Sequence, residues 1–64
     1  MNLGATKPGQ RVRFANGEVG TVVKHDSDDF DVWTQVRCPQ RRKRSNDDAQ
    51  RYCFKRTEQV EVLP

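Results

Sequence analysis

The chain has 64 residues and a mass of 7.4 kDa, of which 33% are hydrophobic and 33% charged, with a formal net charge of +3. A chain this short builds one small domain and buries only about 60% of the surface its unfolded form exposes, which argues against a deep catalytic cleft. No apolar run approaches the roughly 20 residues of a membrane-spanning helix or the apolar centre of a secretory signal, so a cytoplasmic protein without a membrane partner is expected.

A mean hydropathy of −1.02 approaches that of disordered chains, but the apolar residues are patterned. Eight are Val and five are aromatic, against two Leu and no Ile, a composition that fits strands better than helices. The fold class expected is therefore all-β. Residues 1–8 are mixed, non-periodic and end in Lys7-Pro8-Gly9, which reads as a flexible lead-in before a domain spanning 9–64. Arg11-Val12-Arg13-Phe14 alternates with Val12 and Phe14 inward. Asn16-Gly17 then signals a tight hairpin of type I′, and a second strand returns through Val19 to His25. Within it, Gly20 marks a place where the strand bends or another backbone comes close.

Asp26-Ser27-Asp28-Asp29 reads as an acidic loop. From Phe30 to Arg37 the alternation is the clearest in the chain, with Phe30, Val32, Thr34 and Val36 on an expected core face and Asp31, Trp33, Gln35 and Arg37 on the other. Residues 39–50 are polar and non-periodic, forming a long basic arm before a fourth strand, Arg51 to Lys55, with Tyr52 and Phe54 on one face. A turn at Thr57-Glu58-Gln59 and a closing strand from Val60 to Leu63 complete five strands. Closing them into a small barrel removes edges that so short a sheet protects poorly.

The segments Gly9-Gln10-Arg11-Val12-Arg13-Phe14 and Gly17-Glu18-Val19-Gly20-Thr21-Val22-Val23 resemble the opening of SH3-like barrels, and more narrowly the KOW motif of NusG-type transcription factors and several ribosomal proteins. Thr57 to Leu63 is similar to the turn and last strand that close such barrels. The resemblance implies a five-stranded SH3-like barrel, and the residues themselves place the long basic arm between strands 3 and 4. It carries over no binding residue, because the matching glycines and valines are structural and the fold hosts unrelated functions.

Charge is distributed in blocks. Asp26, Asp28, Asp29 and Asp31 crowd one turn, whereas the segment from Arg37 to Arg56 carries eight cations against Asp47 and Asp48. Arg41-Arg42-Lys43-Arg44 is an unbroken run of cations suited to phosphates, which release condensed counterions when neutralised. Trp33 shares its face with Gln35 and Arg37, an aromatic beside cations of the kind on which single-stranded bases stack. Its structural alternative is a satellite of the core under the arm. The expected function is a non-enzymatic module that binds RNA or DNA backbone through Trp33, Arg37, Arg41, Arg42, Lys43, Arg44, Arg51 and Lys55. The alternative is a protein-interaction module anchored by Trp33.

No metal or cofactor is expected. The acidic turn lacks the Gly and late Glu of a calcium loop, His25 is the sole histidine, and Cys38 and Cys53 form no Cys-x-x-Cys motif. The two cysteines flank the arm and come close if strands 3 and 4 pair around its middle, but free thiols are the expectation for a reducing compartment.

Overall fold

In the computed structural model, which describes residues 1–39 and 51–64, the chain is all-β with almost no helix. Strands β1 (Arg11–Phe14), β2 (Val19–Ser27), β3 (Val32–Arg37), β4 (Arg51–Lys55) and β5 (Val60–Val62) form one antiparallel sheet in the order β4-β3-β2-β1-β5. It is an open sheet whose edges are β4 and β5. The expected arm falls on residues outside the described ones.

Alternation in β1 holds as the sequence implies: Val12 and Phe14 are buried, and Arg11 and Arg13 exposed. The β1–β2 connection is longer than the expected two-residue turn. Gly17 N–H donates to the Phe14 carbonyl at 2.9 Å, Phe14 N–H donates to the Glu18 carbonyl at 2.7 Å, and Gly17 takes φ +90°. This is the three-residue hairpin form, with glycine supplying the left-handed residue.

The sheet folds back on itself. Three strand spacings separate β1 from β4, about 14 Å in a flat sheet, yet the Phe14 and Phe54 rings lie 4.6 Å apart between centroids. Gly20 makes part of this bend possible, because a Cβ there would sit 2.5 Å from Val36 Cγ1 and 2.8 Å from the Arg37 carbonyl. The interior comprises Leu3, Val12, Phe14, Val22, Val36, Cys38 and Val60, with Tyr52, Phe54 and Val62 packed against it.

A β-bulge in β2 decides what faces this interior. Val22 pairs with Val36 but Lys24 pairs with Gln35, so Val23 is an extra residue. Strict alternation from Gly20 and Val22 would turn Lys24 inward. The bulge reverses the phase, leaving Lys24 exposed and bringing His25 opposite the fully buried Thr34. There His25 Nδ1 lies 2.6 Å from Thr34 Oγ1 and Nε2 lies 2.6 Å from the Thr6 carbonyl. Since a carbonyl only accepts, Nε2 carries a proton and donates.

Within residues 1–8, expected to precede the domain, two side chains, Leu3 and Thr6, are buried. Leu3 is 0% and Thr6 4% exposed. Leu3 N–H donates to Glu58 O at 2.7 Å, Gly4 N–H to Arg56 O at 2.9 Å and Val60 N–H to Met1 O at 2.9 Å. Polar composition concealed this docking because one leucine, backbone hydrogen bonds and the His25 bridge perform it.

Two further expectations are corrected. Asp26 and Ser27 belong to β2, which moves the acidic loop from residues 26–29 to residues 28–31. Phe30 is 96% exposed rather than in the core. Asp28 Oδ1 accepts from the N–H groups of Phe30 and Asp31, each at 2.8 Å, and Asp28 N–H donates to Asp31 O at 2.9 Å. Residues 28–31 are thus a tight turn, through which strand parity does not run, and the buried face of β3 begins only at Thr34.

Candidate nucleic-acid interface

The β3–β4 register gathers the described residues of the expected site. Trp33 pairs with Lys55, Gln35 with Cys53 and Arg37 with Arg51. Directly opposed residues share a face with Cβ atoms about 5 Å apart, so Trp33, Arg37, Arg51 and Lys55 occupy one outward face. Their inward neighbours Thr34, Val36, Tyr52 and Phe54 pack toward the interior. Arg41, Arg42, Lys43 and Arg44 lie outside the described residues. The connection that carries them leaves from the Arg37–Arg51 end of this face, where β3 ends and β4 begins.

Topology extends the face beyond the residues the sequence singled out. Arg37 pairs with Thr21 on β2, and Thr21 pairs with Arg11 on β1. A cross-strand row, Arg51, Arg37, Thr21 and Arg11, therefore runs over four strands. Both outward arginines of β1 are visible in the alternation, but only the register shows that Arg11 joins Arg37, while Arg13 pairs with Glu61 at 3.2 Å. Lys24 sits one row further along, opposite Gln35.

Arg11, Arg37, Arg51 and Lys55 are exposed and form no ion pair with a described residue, and like charges directly opposed, as in Arg37 and Arg51, cost a few tenths to about 1 kcal/mol in a sheet. Among the described residues of the rows that cross β2, β3 and β4, the carboxylate is Asp26, opposite Trp33 and 3.5 Å from Lys24 Nζ. Arg11, Lys24, Arg37, Arg51 and Lys55 thus face solvent with that single described acid in their rows. Arg56, counted among the basic segment, has a different role. Half-buried, it donates from Nε to the Trp33 carbonyl at 3.3 Å and from a terminal guanidinium nitrogen to the Asp26 carbonyl at 3.0 Å, which fastens the β2–β3 end carrying the indole.

Trp33 is half-buried, and its Nε1 atom is buried with no hydrogen-bond partner among the described residues. What the ring leaves open to solvent is carbon.

The cysteines do not meet. Cys53 stands opposite Gln35, three residues and about 10 Å along the strand from Cys38. Cys38 is buried and Cys53 exposed, and no disulfide joins them. Such a separation exceeds the roughly 7 Å between Cα atoms that a disulfide spans. Among the described residues, no three His, Cys, Asp or Glu side chains are grouped to hold a metal ion, and no helix is long and apolar enough to cross a membrane. A shallow depression of about 370 Å³ beside β5 is lined by Phe14, Gly17, Gln59 and Val60, with the Arg13–Glu61 ion pair in its wall. No protein-family model, no curated protein and no solved structure matches the chain.

Proposed function

We propose that the protein is a non-enzymatic nucleic-acid-binding module, an SH3-like barrel whose outer β3–β4 face contacts the phosphate backbone of RNA or DNA. The observation that supports this most is the opposition of Arg37 and Arg51 beside the Trp33–Lys55 pair, with no described carboxylate to neutralise the two arginines. The fold gains nothing from that juxtaposition, whereas a phosphate placed between the two guanidinium groups accepts from both. Arg11 and Lys24 enlarge the positive field, and Arg41 to Arg44 add four cations in the adjoining sequence.

Salt dependence is the test. If about four phosphates are neutralised, the slope of log K against log salt is roughly −3 to −4. Removing one phosphate contact with Arg37→Ala or Arg51→Ala lowers the slope by about 1 and weakens unrelated sequences alike. Unchanged affinity in the double variant would remove the face from the mechanism.

A protein-interaction module remains the second reading. It is favoured by Phe30 and Val32, 96% and 47% exposed at the Trp33 end of β3, since exposed aromatics anchor protein interfaces. Absence of any nucleic-acid binding at low salt is the result that would select it.

A further inference from the structure

We propose that the ligand of this face is single-stranded rather than duplex nucleic acid, with one base stacked on the solvent-facing carbon surface of Trp33 and the strand running along β4 from Lys55 toward Arg51. This rests on the nucleic-acid reading above and adds the class of strand and its path.

Cations alone do not distinguish strand classes, because phosphates are common to all of them. Trp33 is the group on this face that does. Its N–H edge is turned into the protein and buried, so the accessible part of the ring offers stacking rather than a hydrogen bond. A base within a duplex has both faces covered by its neighbours, and an unpaired base has one to give. The backbone that carries the ring is also held in place: Trp33 lies within the paired register of β2, β3 and β4, and Arg56 donates to its carbonyl. Little backbone freedom remains to be lost when a base arrives.

The surroundings of the ring are asymmetric, and this sets the path. On the β2 side Trp33 faces Asp26, and on the β4 side Lys55. Asp26 is paired with Lys24 at 3.5 Å and offers a phosphate no attraction of its own, whereas Lys55 has no ion-pair partner among the described residues and draws the backbone that follows a stacked base. Arg37 and Arg51 lie four residues further along the same two strands, about 13 Å away. An extended, flexible strand spans that gap while its base stays on the ring, and a rigid duplex reaches the cations only through its backbone. Arg11, two strands beyond Arg37, lies off this path and contributes field rather than contact.

Trp33 is the sole tryptophan, so intrinsic fluorescence reports the site directly. The full chain is titrated with oligo-dT, oligo-U and a mixed-sequence duplex, each roughly 12 nucleotides or base pairs long, at about 50 and 200 mM salt. Anisotropy of the labelled nucleic acid gives the affinity. The expected result is that the single strands quench Trp33 and bind at least about tenfold more tightly than duplex, within the roughly 5- to 150-fold that one stacked base contributes. Trp33→Phe retains most of this preference, and Trp33→Leu loses it while keeping duplex affinity. The two single strands separate DNA from RNA, and preference for either over duplex supports the proposal. Equal affinity for single strand and duplex without quenching overturns the inference and leaves the nucleic-acid reading standing. No binding to any of the three at the lower salt overturns both. Should Trp33→Leu fail to fold, the quenching and strand preference of the unaltered chain, with Trp33→Phe, still decide the matter.

Discussion

Replacing His25 tests whether the bulge in β2 has the energetic consequence its geometry implies. His25→Ala removes two 2.6 Å hydrogen bonds, one to Thr34 Oγ1 and one to the Thr6 carbonyl, at residues that are 0% and 4% exposed. An orphaned buried polar group costs about 1–3 kcal/mol. Because the half-buried ring leaves space that water reaches, the two losses together come to about 2–4 kcal/mol rather than the upper sum. For 64 residues the total stability is about 3–10 kcal/mol, so the variant is severely weakened. Thr34→Val keeps the shape and removes the hydroxyl, at a cost of about 1 kcal/mol. Once both partners are gone neither is orphaned, and the double variant should be more stable than additivity predicts by about 1–2 kcal/mol. Urea unfolding of the four proteins, followed by Trp33 fluorescence, supplies the cycle. Additivity within about 0.3 kcal/mol would show that the bridge carries no energy. The same geometry requires neutral His25 to be the Nε2–H tautomer with the Thr34 hydroxyl donating to Nδ1, and ¹⁵N chemical shifts of the ring assigning the proton to Nδ1 would contradict it.

Gly20→Ala places a methyl 2.5 Å from Val36 Cγ1 and 2.8 Å from a backbone carbonyl, so a loss of about 1–3 kcal/mol is expected in thermal unfolding, and Gly20→Val should fail to fold. Gly17→Ala meets open space but retains φ +90°, and should lose about 1 kcal/mol; a larger loss would point to an unrecognised contact. With a thiol reagent under native conditions, Cys53 reacts and Cys38 does not until urea unfolds the chain, so two fast equivalents would refute the burial of Cys38. Asp28→Ala releases the N–H groups of Phe30 and Asp31 and should cost about 1 kcal/mol while raising amide exchange at those two positions.

Alternation made much of the sheet legible in the sequence. Val12, Phe14, Val36, Tyr52 and Phe54 face the interior as their spacing implies, and the grouping of Trp33, Arg37, Arg51 and Lys55 follows from parity once β3 and β4 pair. Four things were not legible, each for a physical reason. An extra residue in a ladder leaves no compositional mark, so Val23 hid the inward turn of His25 and the outward turn of Lys24. Asp28 caps a turn with its own carboxylate, which detached Phe30 from the strand period it seemed to begin. Docking of residues 1–8 depends on backbone groups that pair with positions 56–60, and no local pattern reports a partner so distant. The membership of Arg11 in the basic face was hidden likewise, since a cross-strand row depends on register.

The pairing of the first residues with the last has a kinetic side. Met1 bonds Val60, Leu3 bonds Glu58, and β1 pairs with β5 between Val12 and Val62, contacts that join opposite ends of the chain. Loop-closure entropy must be met before these contacts give anything back, which places the protein among slow, high-contact-order folders despite its size. During synthesis β1, β2 and β3 can form a meander early, yet Leu3, Val12 and Phe14 stay without Val60 until β5 emerges. For that interval an apolar surface and an unpaired β1 edge are open to neighbouring chains. A chain that stops before Val60 would make the interval permanent and is expected to aggregate or be degraded.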